Sequence, residues 1–116
     1  MFTLDRNGGL VVSADPTMAV HRDLIVSLAA QHRSPAVYGE RVMVVAGGLL
    51  SYGTDLVDLY RQSALYVDRI LRGAKPAELP VQAPTKYTTV LNLKTAKSLG
   101  LDVPDKLLVA ADEVIE

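Results

Sequence analysis

The first third of the chain alternates between short apolar runs and helical patterns. An apolar run over residues 10–14 follows a glycine pair, and it predicts a strand buried on both faces. Asp15 and Pro16 then predict a helix start, because aspartate suits the N-cap and proline suits the first helical position. Beyond them, apolar residues at four-residue spacing predict an amphipathic helix that ends near His32. That stripe consists of Val20, Leu24 and Leu28, with Ile25 and Ala29 beside it.

Two further short apolar runs predict strands in the middle of the chain. They cover residues 35–38 and 49–52, and the second run stops at Gly53. Residues 41–46, between these runs, predict a brief helix or an apolar connector. Strands and helical segments therefore continue to alternate.

The clearest helix follows Thr54 and Asp55, either of which can be its N-cap, and it runs to Arg72. Gly73 ends it, as glycine commonly does just after a helix C-terminus. One face of this 55–72 helix carries Leu56, Leu59, Tyr60, Ser63, Ala64, Val67, Ile70 and Leu71. The segment 73–85 contains three prolines and predicts an extended crossover.

The C-terminal third predicts one more strand and two helices. Residues 86–93 alternate between two faces, which is typical of a strand with one solvated face at a sheet edge. A short helix over 95–99 stops at Gly100, and Pro104 opens a last helix. Its inward residues are Leu107, Leu108, Ala111, Val114 and Ile115. Alternating strands and helical crossovers predict a single α/β domain over 1–116, with a mostly parallel sheet flanked by helices.

The amino-acid composition excludes several classes of protein and of functional site. The chain has 116 residues, enough for one modest domain, and 49% apolar against 22% charged residues excludes disorder. Twelve basic and thirteen acidic residues give a net charge of −1, so we expect no nucleic-acid partner. The absence of cysteine excludes disulfides and cysteine-ligated metals.

Two segments indicate whether the chain inserts into a membrane and whether it carries a signal peptide for export. The longest apolar stretch, residues 42–50, is broken by a glycine pair and is much shorter than the roughly 20 residues of a membrane span. We therefore expect no membrane insertion. The first nine residues lack the basic flank and the apolar run of a signal peptide, which predicts a cytoplasmic location if the chain is complete.

The residues that could carry chemistry form no catalytic pattern. His21 and His32 are the only histidines, and no carboxylate pattern beside them indicates a metal or catalytic site. Ser51 lies in the sequence LLSYG, which lacks the first glycine of a GxSxG nucleophile elbow. No glycine motif for phosphate binding is present. The sequence predicts no enzyme activity, no cofactor and no metal.

The ends of the predicted strands indicate a binding site instead. In open α/β sheets, ligands bind outside the carboxyl ends of the strands. The candidate ligand-binding residues there are Ser13, Asp15, Tyr38, Ser51 and Tyr52. Their hydroxyls, carboxylate and aromatic rings would suit a small polar or zwitterionic solute. Each also has a structural interpretation, since Asp15 can be only a helix cap and Tyr38 can be a core residue.

Several segments, in this order, resemble one known family. They read GGLLSYGTD (47–55), YVDRILRG (66–73), KPAELPV (75–81), PTKY (84–87), NLKTAKSLGL (92–101) and ADEVI (111–115). The chain resembles, from about Gly8 to Glu116, the C-terminal part of substrate-binding proteins of ABC transporters. The branch is the one with a type I periplasmic-binding-protein fold, some of whose members bind aromatic amino acids.

This resemblance implies a role in solute uptake. A family member would bind a small solute, such as an amino acid, without chemistry and deliver it to an ABC permease. It would be periplasmic if this chain is a fragment of an exported protein. The chain resembles the second of two lobes, with a hinge-like point near Gly53 and the first lobe absent.

The resemblance also implies an unusual surface. In the family, the 55–72 helix packs on the first lobe, so its apolar face would be exposed in this chain. Such a face predicts a homodimer or higher oligomer formed through the 55–72 helix. The alternative function is a truncated or vestigial oligomerising domain that binds no ligand.

Overall fold

The computed structural model describes residues 7–116. Residues 1–6, on which the signal-peptide prediction largely depends, lie outside the described residues. The chain divides into two compact units, which we describe separately: unit 1 is the chain up to Gly53 together with Thr88–Glu116, and unit 2 is Thr54–Tyr87. The division falls directly after Gly53, where the sequence predicts a hinge-like point, and the hinge role itself stays a prediction.

Within residues 7–116, five strands form one sheet with the spatial order β1-β2-β3-β4-β5. They are β1 (Leu10–Val12), β2 (Ala36–Tyr38), β3 (Leu50–Thr54), β4 (Tyr87–Asn92) and β5 (Glu113–Ile115). The pairs β1–β2, β2–β3 and β4–β5 are parallel. At the β3–β4 boundary, the Asn92 amide donates to the Leu49 carbonyl. The predicted α/β class with a mostly parallel sheet flanked by helices is confirmed.

The helices of the described part are short, with one exception. They are α1 (Pro16–Val20), α2 (Arg22–Gln31), α3 (Arg41–Val45), α4 (Leu56–Leu71), α5 (Leu93–Ser98) and α6 (Asp105–Ala110), and a 3₁₀ turn covers Pro76–Glu78. The Asp15 side chain accepts from the Thr17 amide, which confirms the predicted N-cap before Pro16. The single helix predicted after Asp15 is interrupted at His21, so α1 and α2 are separate.

The core of unit 1 lies between α2, α3 and the first strands of the sheet. Its buried cluster consists of Val12, Val26, Ala29, Ala36, Tyr38 and Met43. The stripe that predicts the amphipathic helix, namely Val20, Leu24 and Leu28, is exposed. The helix is buried instead through Val26 and Ala29, because it turns a neighbouring face toward the sheet. The four-residue spacing thus identified the helix, and of its predicted apolar positions Ala29 is buried and Ile25 packs against the core, whereas the central stripe is exposed.

Two strand predictions and one helix prediction are wrong. β1 is an edge strand with Val11 84% exposed, so it is not buried on both faces. β4 is not an edge strand, because it lies between β3 and β5 and buries Val90 and Leu91. The last helix ends at Ala110, and Glu113–Ile115 is β5. Its side chains satisfied a helical spacing, but backbone pairing with β4 determines the structure there.

Unit 2 contains α4 and the crossover segment. The Asp55 side chain caps α4 by accepting from the Asp58 amide at 3.0 Å, and Gly73 follows the helix with a φ of 106°. The hydroxyl of Tyr66 donates to the carbonyl of Pro80, which ties the crossover to α4. Every residue of α4 is at least partly exposed in the described chain, and Tyr60 is 76% exposed.

Candidate functional site

The carboxyl ends of β1, β2 and β3 lie at one edge of the sheet, because these three strands are parallel. Ser13 follows β1 directly and is exposed. Asp15 is half-buried, and its Oδ1 accepts from the Thr17 amide at 2.8 Å. A carboxylate has capacity for several donors, so the capping bond leaves Asp15 able to accept from a ligand.

The remaining three candidates occupy β2 and β3. Tyr38 and Ser51 are paired in register and buried, with 1% and 2% of their surfaces exposed. Burial also raises the pKa of the Tyr38 hydroxyl. Tyr52 is 58% exposed, because successive side chains of a strand point to opposite faces. Of the five candidates, Ser13, Asp15 and Tyr52 therefore present surface at this edge, whereas Tyr38 and Ser51 lie in the interior.

Two glycines bring the ends of these strands together. The Gly39 amide donates to the Val12 carbonyl, and a Cβ on Gly39 would lie 2.6 Å from the Ala14 nitrogen. A Cβ on Gly53 would lie 2.0 Å from the Gly39 carbonyl oxygen. Only backbone fits between the strand ends, so these glycines shape the edge on which a ligand would rest. The hydrophobic pattern predicts no role for Gly39, although a glycine directly after a strand is a usable signal.

An ion pair lies beside the same edge. The Arg41 guanidinium donates from Nε and Nη2 to the two carboxylate oxygens of Glu113, at 2.6 and 2.7 Å. These hydrogen bonds hold the pKa of Glu113 below its ordinary value. Arg41 begins α3 directly after the turn that follows β2, and Glu113 begins β5. Local patterns could not reveal a pair so distant in sequence.

A second ion pair lies in unit 2. Lys86 Nζ is 3.3 Å from Asp55 Oδ2, and the Asp55 amide donates to the Lys86 carbonyl. The hydrogen bond from the Asp58 amide, followed by the contribution of Lys86, lowers the pKa of Asp55. Asp55 therefore caps α4 and also joins the segment entering unit 2 to the segment leaving it.

The described part of the chain contains neither a metal-binding cluster nor a helix able to cross a membrane. Among residues 7–116, no three His, Asp or Glu side chains are close enough to form a metal-binding group. No helix in that range combines the length and the apolar character needed to cross a bilayer. Among residues 7–116, neither the two ion pairs nor the exposed candidates form a nucleophile–base arrangement.

Solved structures show the same fold. A conserved domain protein from Vibrio cholerae O1 biovar El Tor matches with a TM-score of 0.84 and 28% identity over 90% of this chain. The ABC domain from Streptococcus pneumonia, solved in complex with L-Trp, matches with a TM-score of 0.82 and 32% sequence identity over 90% of this chain. A ligand-free, open substrate-binding protein with adhesive properties from Clostridium difficile matches with a TM-score of 0.65 and 20% sequence identity over 91% of this chain. At that identity the match shows a shared fold. This chain covers 36% of each of these structures.

The sequence comparisons identify the family. No curated protein matches the chain in sequence. The family model described as ABC transporter substrate binding protein matches residues 4–115, which is nearly the whole chain. The agreement of this match with the mostly parallel α/β sheet confirms the resemblance drawn from the sequence segments. The chain belongs to the ABC transporter substrate-binding protein family.

Proposed function

We propose that this chain is the C-terminal, solute-binding part of an ABC uptake system and binds a small amino-acid-like ligand without chemistry. The observation that carries the proposal is the family match over residues 4–115. It is supported by the similar structure that was solved in complex with L-Trp. In a full-length protein the partner would be an ABC permease, and the working location would be the periplasm.

The proposed site is the edge formed by the carboxyl ends of β1–β3. Asp15 would accept from the ligand's ammonium group, since its carboxylate is half-buried at this edge. Tyr52 would contact an aromatic or aliphatic side chain through its exposed ring. Ser13 would add a hydroxyl contact. Tyr38 and Ser51 are buried beneath this surface, so they would support the site without forming its exposed face.

The predicted affinity of the chain alone is low. Binding sites in proteins bury most of a ligand's surface between converging walls. This chain covers 36% of the structures that it resembles, so it supplies only part of such walls. We therefore expect weak but saturable binding by this chain, and stronger binding when the remaining part of a full-length protein is present.

The fluorescence of L-Trp itself gives a direct test. The chain contains no tryptophan, so excitation beyond the tyrosine absorption reports on the ligand alone. Saturable changes in L-Trp emission or anisotropy are expected on titration with the protein. Asp15→Asn should weaken this binding, because asparagine keeps the helix cap but loses the charge. Asp23→Asn is the matched control at an exposed position of α2, and equal effects of both variants would contradict the proposed site.

A second function is favoured by one specific observation. The apolar face of α4 exposes large side chains, among them Leu56, Tyr60, Val67, Ile70 and Leu71. A soluble protein rarely leaves such a face uncovered, so we propose a homo-oligomer formed through the 55–72 helix. If the chain oligomerises but binds no solute, it acts as a vestigial assembly domain of the family. Measuring ligand response and oligomeric state together separates the two functions.

A further inference from the structure

A polar cluster lies in unit 1 at the opposite end of the strands from the proposed ligand site. Ser34 precedes β2, the glycines Gly47 and Gly48 precede β3, and Thr95 lies in α5. Ser34 is only 6% exposed, and its Oγ is fully buried without a hydrogen-bond partner among residues 7–116. A buried hydroxyl without a partner is costly, so this atom needs an explanation.

A small cavity adjoins this hydroxyl. Ser34, Tyr38, Gly47, Gly48 and Thr95 contribute to its lining, together with apolar residues such as Val26. It leaves about 10 Å³ for the centre of a water molecule. That volume corresponds to a single water site and is too small for an organic ligand.

We infer that this cavity binds one structural water molecule that connects Ser34 to Thr95. The Thr95 hydroxyl donates to the Gly47 carbonyl at 2.8 Å, so its oxygen keeps lone pairs for a further donor. A water can therefore accept from Ser34 Oγ and donate to Thr95 Oγ1.

The position of the water determines its role. Ser34 lies in the connection between α2 and β2, whereas Thr95 lies beyond β4, and the Gly47–Gly48 turn lies in the same cavity lining. A bridging water would link these three segments at the amino ends of β2 and β3. Asp15 follows β1 and Tyr52 lies midway along β3, both beyond the amino ends of these strands, so a solute bound there would not displace this water.

Water–protein nuclear Overhauser measurements on the purified protein test the inference. We expect a long-lived water signal at protons of Ser34 and of neighbouring cavity residues, unchanged by L-Trp. The Ser34→Ala variant should lose this signal. The Ser27→Ala variant should keep it, because the exposed Ser27 hydroxyl donates only within α2. A wild-type protein without the signal, or a Ser34→Ala variant that retains it, would overturn the assignment.

Crystallography of the wild-type protein provides a second measurement that needs no variant. Electron density for one water within hydrogen-bond distance of Ser34 Oγ and Thr95 Oγ1 is expected. A high-resolution map without electron density for a water in this cavity would refute the inference, because cavities lined by apolar atoms can stay dry. This result would hold even if the Ser34→Ala variant failed to fold.

Discussion

At the scale of single residues, two glycines control how closely three strand ends approach. Gly39 lies against Ala14, and the backbone of Gly53 lies against the Gly39 carbonyl. These contacts are made by backbone atoms, which cannot rotate away as a flexible side chain would. The shape of the proposed ligand edge therefore depends on the absence of a Cβ at both positions.

Gly53→Ala should destabilise the protein. Its Cβ would lie 2.0 Å from the Gly39 carbonyl oxygen, so the end of β3 must move away from β2. We expect the free energy of unfolding, measured by urea denaturation, to fall by about 1–3 kcal/mol. Gly9→Ala is the matched control, because its Cβ would meet its nearest atom, the Pro35 oxygen, at 3.3 Å. An equal loss in both variants would show that the close approach at Gly53 is unimportant.

Glu113→Gln should change how stability depends on pH. Arg41 lowers the pKa of Glu113 in the folded protein, so the ionised pair stabilises the fold above the ordinary glutamate pKa of about 4.3. This contribution disappears as the pH falls through the lowered pKa. Wild-type protein should thus have the higher urea midpoint at pH 7, with a difference that shrinks toward pH 3. Because the pair is partly exposed, the difference should be small. A difference that is independent of pH would contradict this origin.

The candidate residues show what local sequence can reveal about a site. The capping role of Asp15 was predictable, because an aspartate before a proline is a local signal. Whether Tyr38 and Ser51 face the interior depends on strand register and on the helices that cover the sheet, and neither is encoded locally. The Arg41–Glu113 pair depends on bringing together α3 and β5, so spacing alone could not indicate it.

At the scale of elements, strong local signals gave reliable boundaries. The long α4 was predicted well because it has an N-cap at Asp55, a consistent apolar face and Gly73 at its end. The short strands were harder, since three residues carry little periodicity. The sequence pattern predicts helix through β5, because the apolar residues of β5 extend the spacing of α6. Its identity as a strand comes from pairing Val90 with Glu113 and Leu91 with Val114, a contact distant in sequence.

Tyr60→Lys tests the proposed oligomer at the level of α4. Tyr60 is largely exposed, so the substitution should leave the fold of unit 2 intact while placing a charge on the apolar face. Sedimentation should show an oligomer for the wild type and at least tenfold weaker association for the variant, about 1.4 kcal/mol. Val81→Lys is the matched control, because Val81 is fully exposed outside the helix. A monomeric wild type at micromolar concentration would refute the oligomer.

At the scale of the whole molecule, the central fact is the partial coverage of the family's structures. Ninety per cent of this chain aligns with two of them, yet it spans 36% of each. The proposed ligand site and the apolar face of α4 both lie within the described residues, so both proposals can be tested on this chain. The two proposed functions, solute binding at the carboxyl ends of β1–β3 and self-association through α4, predict different behaviour for this chain.

Thermal melting at two protein concentrations, with and without L-Trp, distinguishes these behaviours. A ligand that binds only the folded state at ten times its Kd stabilises it by about 1.4 kcal/mol, which raises the Tm by several degrees. A saturable rise with L-Trp, reduced by Asp15→Asn, would support solute binding by this chain. Oligomerisation instead makes the Tm rise with protein concentration, because association stabilises only the folded state. A Tm that follows protein concentration but ignores L-Trp and other amino acids would refute solute binding and leave assembly through α4 as the function of this chain.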